Sequence, residues 1–267
     1  EKGGLLMKIQ HILDTINTDA FWINFNETRD IVLCGSADKD ITKIGVCWVA
    51  TNKVIDQAIE KKIPVIISHE NPFYHMTTSP KRLAHISAER KKARLEEHGI
   101  TVYRCHDLWD MIPEVGVADL WASRLGFDFQ RKTDSYIQHA TIPETTVRQL
   151  ATHVAKSLCE DGENGVYIFG NPEKNVTELG MGTGAATDIF KMLDLAPCDA
   201  CIVADDGISN FYQAQYAIDN DLPLIVVNHS CCEIAGIKSM QKYITKLFPE
   251  LEVSYLEEGY TITHISV

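Results

Sequence analysis

Residues 58–69 read Ala-Ile-Glu-Lys-Lys-Ile-Pro-Val-Ile-Ile-Ser-His, and residues 217–229 read Ala-Ile-Asp-Asn-Asp-Leu-Pro-Leu-Ile-Val-Val-Asn-His. Each stretch is the end of a helix, a turn, a proline, an unbroken apolar run and then a histidine. The second is one residue longer after the proline. A short continuous run of Val, Ile and Leu marks a strand buried on both faces. Such strands belong to sheets covered by helices, so the repeated phrase predicts an α/β fold. The phrase is common among α/β units; the matched histidine closing each copy is the less ordinary part.

Outward from these stretches, helix and strand signals alternate. Helical spacing runs over Met7–Ile16, and Asn52 is placed to cap a helix reaching about Lys62. A longer helix covers Lys81–His98 and stops at Gly99. Ile44–Val49 and Ile100–Arg104 read as strands. Later helices are expected over Thr145–Leu158, Ala185–Leu195, Asn210–Ile218 and Gly236–Leu247. Strands are expected over Gly165–Phe169, Glu178–Met181, Cys201–Ala204, Leu222–Asn228 and Leu251–Tyr255. No linker interrupts the pattern. It predicts two similar halves of one compact unit, residues 7–125 and 126–267, with the C-terminal segment returning to the first half. Glu1–Leu6 read as a leftover preamble before a natural start at Met7.

The formal net charge is −12, from 37 acidic and 25 basic residues, which does not suggest a nucleic-acid partner. The basic cluster Lys81–Arg94 contains Glu89 and is followed by Glu96 and Glu97, so it reads as a solvated helix face. No apolar run approaches the ~20 residues of a membrane span, and no secretory signal opens the chain; a soluble, cytoplasmic protein is expected. Its eight cysteines lie mostly in apolar stretches and are expected as buried thiols rather than disulfides. Cys198-Asp-Ala-Cys201 is a C-x-x-C without a second pair, for which burial is favoured over a zinc ribbon or redox pair. Cys231 and Cys232 adjoin a candidate metal site and are candidates for reactivity.

In α/β sheets, ligands collect at the carboxyl ends of strands. Three stretches place metal-type ligands there: His69-Glu70, His106-Asp-Leu-Trp-Asp110 and His229-Ser-Cys-Cys-Glu233. His106 and Asp110 are four apart, as are His229 and Glu233, so each pair shares a face if the chain turns helical after its strand. A single histidine at a strand end is ordinarily a structural residue. Three such groups together favour a metal site, and imidazole plus carboxylate suits zinc, manganese or iron. Carboxylates can also bridge two ions at ~3.5–4 Å, a hydrolytic or phosphate-handling centre. His11, His85, His98, His139, His153 and His264 have no such company. His75 lies in the proline-bounded loop of residues 71–80, which is either a lid or a surface turn.

Gly180-Met-Gly-Thr-Gly-Ala-Ala186 matches the G-x-G-x-x-A pattern of dinucleotide-binding turns, with Asp205 or Asp206 as the acidic partner. It lacks a complete βαβ unit, so a tight turn lining the metal site is favoured, one that could help hold a phosphate. No Gly-x-Ser-x-Gly or Walker-type loop occurs.

Taken in order, Ser68-His69-Glu70-Asn71-Pro72, His106 to Asp110, Gly180 to Gly184 and His229 to Glu233 resemble the NIF-three-like family, often described as GTP cyclohydrolase type 2 homologues. The resemblance runs over nearly the whole chain from Met7. It implies two similar α/β halves around a central cleft holding two divalent ions, and a homo-hexameric assembly. Long members carry an inserted domain, for which this chain is too short. His69, Asp110, His229 and Glu233 become ligands by this resemblance, with Asp110 and Glu233 as bridges. The family usually has two adjacent histidines where this chain has His69-Glu70, and His-Thr-Asn-Leu-Asp where it has His106 to Asp110. Asp205 to Tyr212 lacks a histidine often found there. Glu70 in the ligand set would favour harder ions such as manganese or iron. His106 is expected as a partner of the ligands or a proton shuttle. The function implied is metal-dependent hydrolysis of a nucleotide or phosphorylated small molecule, the rivals being a non-catalytic metal-binding regulator or scaffold and a dinucleotide enzyme.

Overall fold

The structure, a computed structural model, describes residues 6–17, 20–74, 82–259 and 262–265. The chain is α/β and forms two compact units: residues 1–109 with 237–259, and residues 110–236 with 260–267. The expected division fell after Leu125. The helix Val117–Leu125 instead puts Trp121, Ala122 and Leu125 into the core of the second unit. His75 and most of its loop lie outside the described residues.

The first unit is built on a five-stranded sheet in the order Glu252–Tyr255, Lys43–Val49, Val65–Glu70, Thr101–Arg104, Val32–Cys34. The first four are mutually parallel and the last is antiparallel. Cys47, Ile66 and Val102 of the central strands pack against Val54, Ile55 and Ala58 of the helix Asn52–Glu60 and against Ala88 and Leu95 of Arg82–Glu97. The intervening strand residues Val46, Val65, Ile67 and Tyr103 are also buried. Burial on both faces explains why these strands read as continuous apolar runs rather than alternating ones. The helix Asn52–Glu60 is capped by Thr51, whose hydroxyl accepts from Val54 N, and not by Asn52.

The second unit has a six-stranded sheet in the order Gln130–Arg131, Ile137–Thr146, Asn175–Gly182, Ala200–Ala204, Leu224–Val227, Tyr167–Phe169. Alternation is plain in its centre. Ile202, Ala204, Ile225 and Val227 join Leu150, Val154 and Leu158 of the helix Val147–Leu158 on one face. Cys201, Val203, Leu224 and Val226 join Ile189, Met192 and Ala217 of the helices Ile189–Leu195 and Gln213–Asp219 on the other. Each fully buried aliphatic side chain contributes about 1.5–3 kcal/mol relative to exposure.

The repeated phrase in the sequence is a repeated structure. In the first copy Ile63 N donates to Ala58 O (2.8 Å) and Lys62 N to Ile59 O (3.1 Å), with Lys62 at φ 53°. In the second, Leu222 N donates to Ala217 O (2.8 Å) and Asp221 N to Ile218 O (3.4 Å), with Asp221 at φ 50°. This is the paired hydrogen bonding of a Schellman helix stop. The proline carbonyl that follows accepts from a neighbouring strand in both copies, Thr101 N at 2.9 Å and Cys201 N at 3.0 Å.

Candidate metal centre

His69 and Glu70 are the last two residues of the strand Val65–Glu70. His69 is fully buried, and its Nδ1 lies 3.0 Å from the Cys105 carbonyl. A carbonyl only accepts, so Nδ1 carries a hydrogen and Nε2 is the atom that would meet an ion, the arrangement that orients metal-binding histidines. Arg104, itself buried, donates from Nε to the His69 carbonyl (3.1 Å) and from a terminal nitrogen to Glu70 Oε2 (2.8 Å). Burial alone would raise the Glu70 pKa; the His106 ring beside it, with the fields of His69 and Arg104, holds it well below the usual carboxylate range.

His106 opens the next segment. Its ring stacks on His69 with centroids 4.6 Å apart and planes 4° from parallel. Its Nε2 is 3.6 Å from Glu70 Oε1 and its Nδ1 is 3.1 Å from Asp107 Oδ1. The potential ligand atoms of His69, Glu70 and His106 all lie within 4.8 Å of one another. Distance alone would allow one ion among the three. Ring geometry argues otherwise, because imidazole takes a metal in its own plane and two parallel stacked rings share none. His106 therefore supports the site, with Nε2 directed at Glu70. Asp30 fixes this segment by accepting from His106 N, Asp107 N (3.0 Å) and Leu108 N (2.8 Å), which caps the helix Asp107–Met111. Asp110, 3% exposed, lies in that helix.

The helix expected from Gly236 begins seven residues earlier, at His229, and runs to Leu247; its residues 229–236 belong to the second unit. Its first turn puts His229 Nε2 3.0 Å from Glu233 Oε1, as four-residue spacing on a helix predicts. His229 Nδ1 is 2.7 Å from Asp206 Oδ2, and its backbone N donates to Asp205 Oδ1 (3.1 Å). Burial would lower the His229 pKa, but the flanking Asp206 and Glu233 carboxylates overcome it and push it up to about 11. An ion bound at Nε2 takes the place of that proton.

The glycine turn meets this pair. Gly184 sits at φ +52°, and a Cβ there would fall 2.2 Å from Glu233 Oε1 and 2.5 Å from His229 Nε2. The turn does not open directly onto a helix. A 3₁₀ turn, Gly184–Ala186, intervenes, and the Asp188 carboxylate takes the amides of Phe190 and Lys191 at the start of the helix Ile189–Leu195. Asp205 and Asp206 are engaged with Asn228 and His229. A dinucleotide would find neither the helix end nor the acidic partner disengaged. Cys231 and Cys232 are buried, and burial pushes Cys231 up to about 12 and Cys232 well above its ordinary value, which makes both poor nucleophiles. Cys201 is fully buried and Cys198 partly so.

The donor set fits divalent metal: in each unit a histidine has Nδ1 tied to an acceptor and a carboxylate close at hand. Arg104 and Asp30 carry no local sequence signal, since their partners lie 34 or more residues away. The model of the Duf34/NIF3 (NGG1p interacting factor 3) family matches residues 7–259. The chain belongs to the Duf34/NIF3 family.

Among Duf34/NIF3 relatives, a Bacillus subtilis (strain 168) protein named GTP cyclohydrolase 1 type 2 homolog is 36% identical over 130 residues. That match takes in 47% of this chain and only 31% of the relative's length. A Bacillus cereus protein related to NIF3 superposes with a TM-score of 0.80 at 13% identity, covering 98% of this chain and 99% of its own. A Staphylococcus aureus protein gives 0.76 at 18% identity over 97% and 99%. At such identities the likeness to solved structures is one of fold.

Proposed function

We propose that His69, Glu70, Asp110, His229 and Glu233 hold two divalent ions (zinc, manganese or iron), and that the protein hydrolyses a nucleotide or another phosphorylated small molecule. The observation that carries this is the His229–Glu233 pair, with Nδ1 fixed by Asp206, Nε2 facing a carboxylate and Gly184 leaving room for nothing larger than hydrogen beside it. The kinship with a GTP cyclohydrolase 1 type 2 homolog supports the substrate class.

Ions held there would supply Lewis-acid activation of water and of a phosphoryl group. The chain's own residues do the rest. Asp206 and the Cys105 carbonyl fix the tautomers of His229 and His69. His106, with Asp107 beside Nδ1 and Glu70 before Nε2, would be the proton carrier, taking a proton at Nε2. The test is Asp110→Ala, with metal counted by mass spectrometry and turnover screened on nucleotides and phosphoesters. Metal loading and turnover should fall together. Turnover that survives in the metal-free variant contradicts hydrolysis by this site, and stoichiometric metal without turnover on any substrate favours a regulatory or scaffold role. The homo-hexamer of the family resemblance belongs to the same proposal and is checked by sedimentation velocity.

A further inference from the structure

We propose that Arg104 is a positioning residue that makes Glu70 a single-oxygen metal ligand. The inference rests on the metal reading above and concerns only residues of the first unit. Arg104 side-chain exposure is 7%, and its terminal nitrogen holds Glu70 Oε2 at 2.8 Å. Its Nε holds the carbonyl of His69, the preceding residue, at 3.1 Å. One guanidinium thus grips the backbone of one ligand and the carboxylate of the next. Guanidinium suits this because its donors are fixed in a planar fork.

Oε2 also accepts from Asn71 N at 3.3 Å, so both its lone pairs are taken and the oxygen left for an ion is Oε1, which faces His106 Nε2 at 3.6 Å. Charge is the second part. A carboxylate ligand brings a full negative charge, but the Glu70–Arg104 pair is neutral. Removing Arg104 has two opposed effects. Loss of a nearby cation favours metal binding, whereas loss of the grip lets Glu70 turn toward His106. Outer partners of metal ligands typically carry 10–100-fold of metal affinity, so positioning wins and binding weakens.

The test is a cycle of Mn²⁺ titrations, followed by electron paramagnetic resonance, on the wild type, R104Q, E70Q and the double variant. The ion scored is the one that E70Q weakens. R104Q is expected to weaken it at least tenfold in the wild-type background and less than twofold beside E70Q, with an altered Mn²⁺ spectrum. R104K, which keeps the charge but not the fork, should recover part of the loss. Should R104Q fail to fold, R104K against R104K/E70Q carries the same comparison. Equal losses in both backgrounds, unchanged affinity or tighter binding overturn the role of Arg104 and leave the metal site standing. A wild type that binds no Mn²⁺, Zn²⁺ or Fe²⁺ overturns the metal reading itself.

Discussion

At the scale of single residues, Gly184 is the most exacting position. Its backbone lies against both His229 and Glu233, and its positive φ disfavours any side chain. Gly184→Ala should therefore cost at least tenfold in metal affinity while leaving the circular dichroism of the fold in place; unaltered metal content would contradict the placement. Glu163 supplies a pH signature. Burial, helped by Asp205, pushes its pKa up to about 7 even though Asn228 N donates to both carboxylate oxygens at 2.9 and 3.0 Å. A carboxyl whose folded pKa is raised stabilises the fold at low pH, and that contribution is lost as pH rises through 7. Glu163→Gln should thus gain on the wild type between pH 5 and pH 8 in denaturant melts. Parallel behaviour of the two proteins would show that Glu163 does not titrate in this way. The sequence offers His69, Glu70, His106, Asp110, His229 and Glu233 as candidates because ligand-type side chains stand at, or within four residues of, strand ends. Arg104, Asp30 and the role of Asp206 were not legible, because a hydrogen-bond partner far off in sequence leaves no local mark.

At the scale of elements, the two Schellman stops are paired devices with a shared weakness. A non-glycine residue in the left-handed region costs about 1–2 kcal/mol, partly offset because glycine loses more chain entropy on folding. Lys62→Gly should gain about 0.5–1 kcal/mol in urea unfolding. Asp221→Gly should gain less, because aspartate tolerates this conformation better and Asp221 also pairs with Lys174 at 3.6 Å. A larger gain at 221 than at 62 would contradict the comparison. The central strands and the amphipathic helices were readable from periodicity. The strand Ile137–Thr146 was not, because Pro143 argues against a strand. The structure accommodates it at a bulge: Thr145 pairs with Val176 and Thr141 with Glu178, so residues 142–144 face Thr177 alone and the missing N–H of proline is not needed. The helix Val117–Leu125, by contrast, carries apolar residues at helical spacing between Gly116 and Gly126 and is absent from the expected elements although its signal is present.

At the scale of the molecule, fold class was legible and the division into units was not. Local periodicity cannot say which core a helix joins, and nothing near residue 237 announces a change of unit. If bound ions stabilise the native state, as proposed, chelation should destabilise it. Ions present at 100 times their Kd contribute about 2.7 kcal/mol, which for a chain of this size corresponds to roughly 5–10 °C in Tm. Thermal scans with and without a chelator measure this, and the difference should shrink in His229→Ala, which loses a ligand of one of the two ions. A chelator effect of the same size in that variant would place the stabilising ion elsewhere.

The strand Glu252–Tyr255 edges the first unit's sheet, beside Lys43–Val49, although it comes from the far end of the chain. The order of synthesis therefore inverts the order of completion. During translation the second unit has nearly all its residues once Gly236 has emerged, whereas the first, begun earlier, waits for residues 237–259. Nascent chains stalled after Gly236 should resist protease across residues 110–236 and remain cleavable across residues 7–109. Early protection of the amino-terminal segment would refute the inversion. Residues 7–109 leave the ribosome before the second unit and wait longer for their sheet to close, so their apolar strands are where demand for chaperones should concentrate.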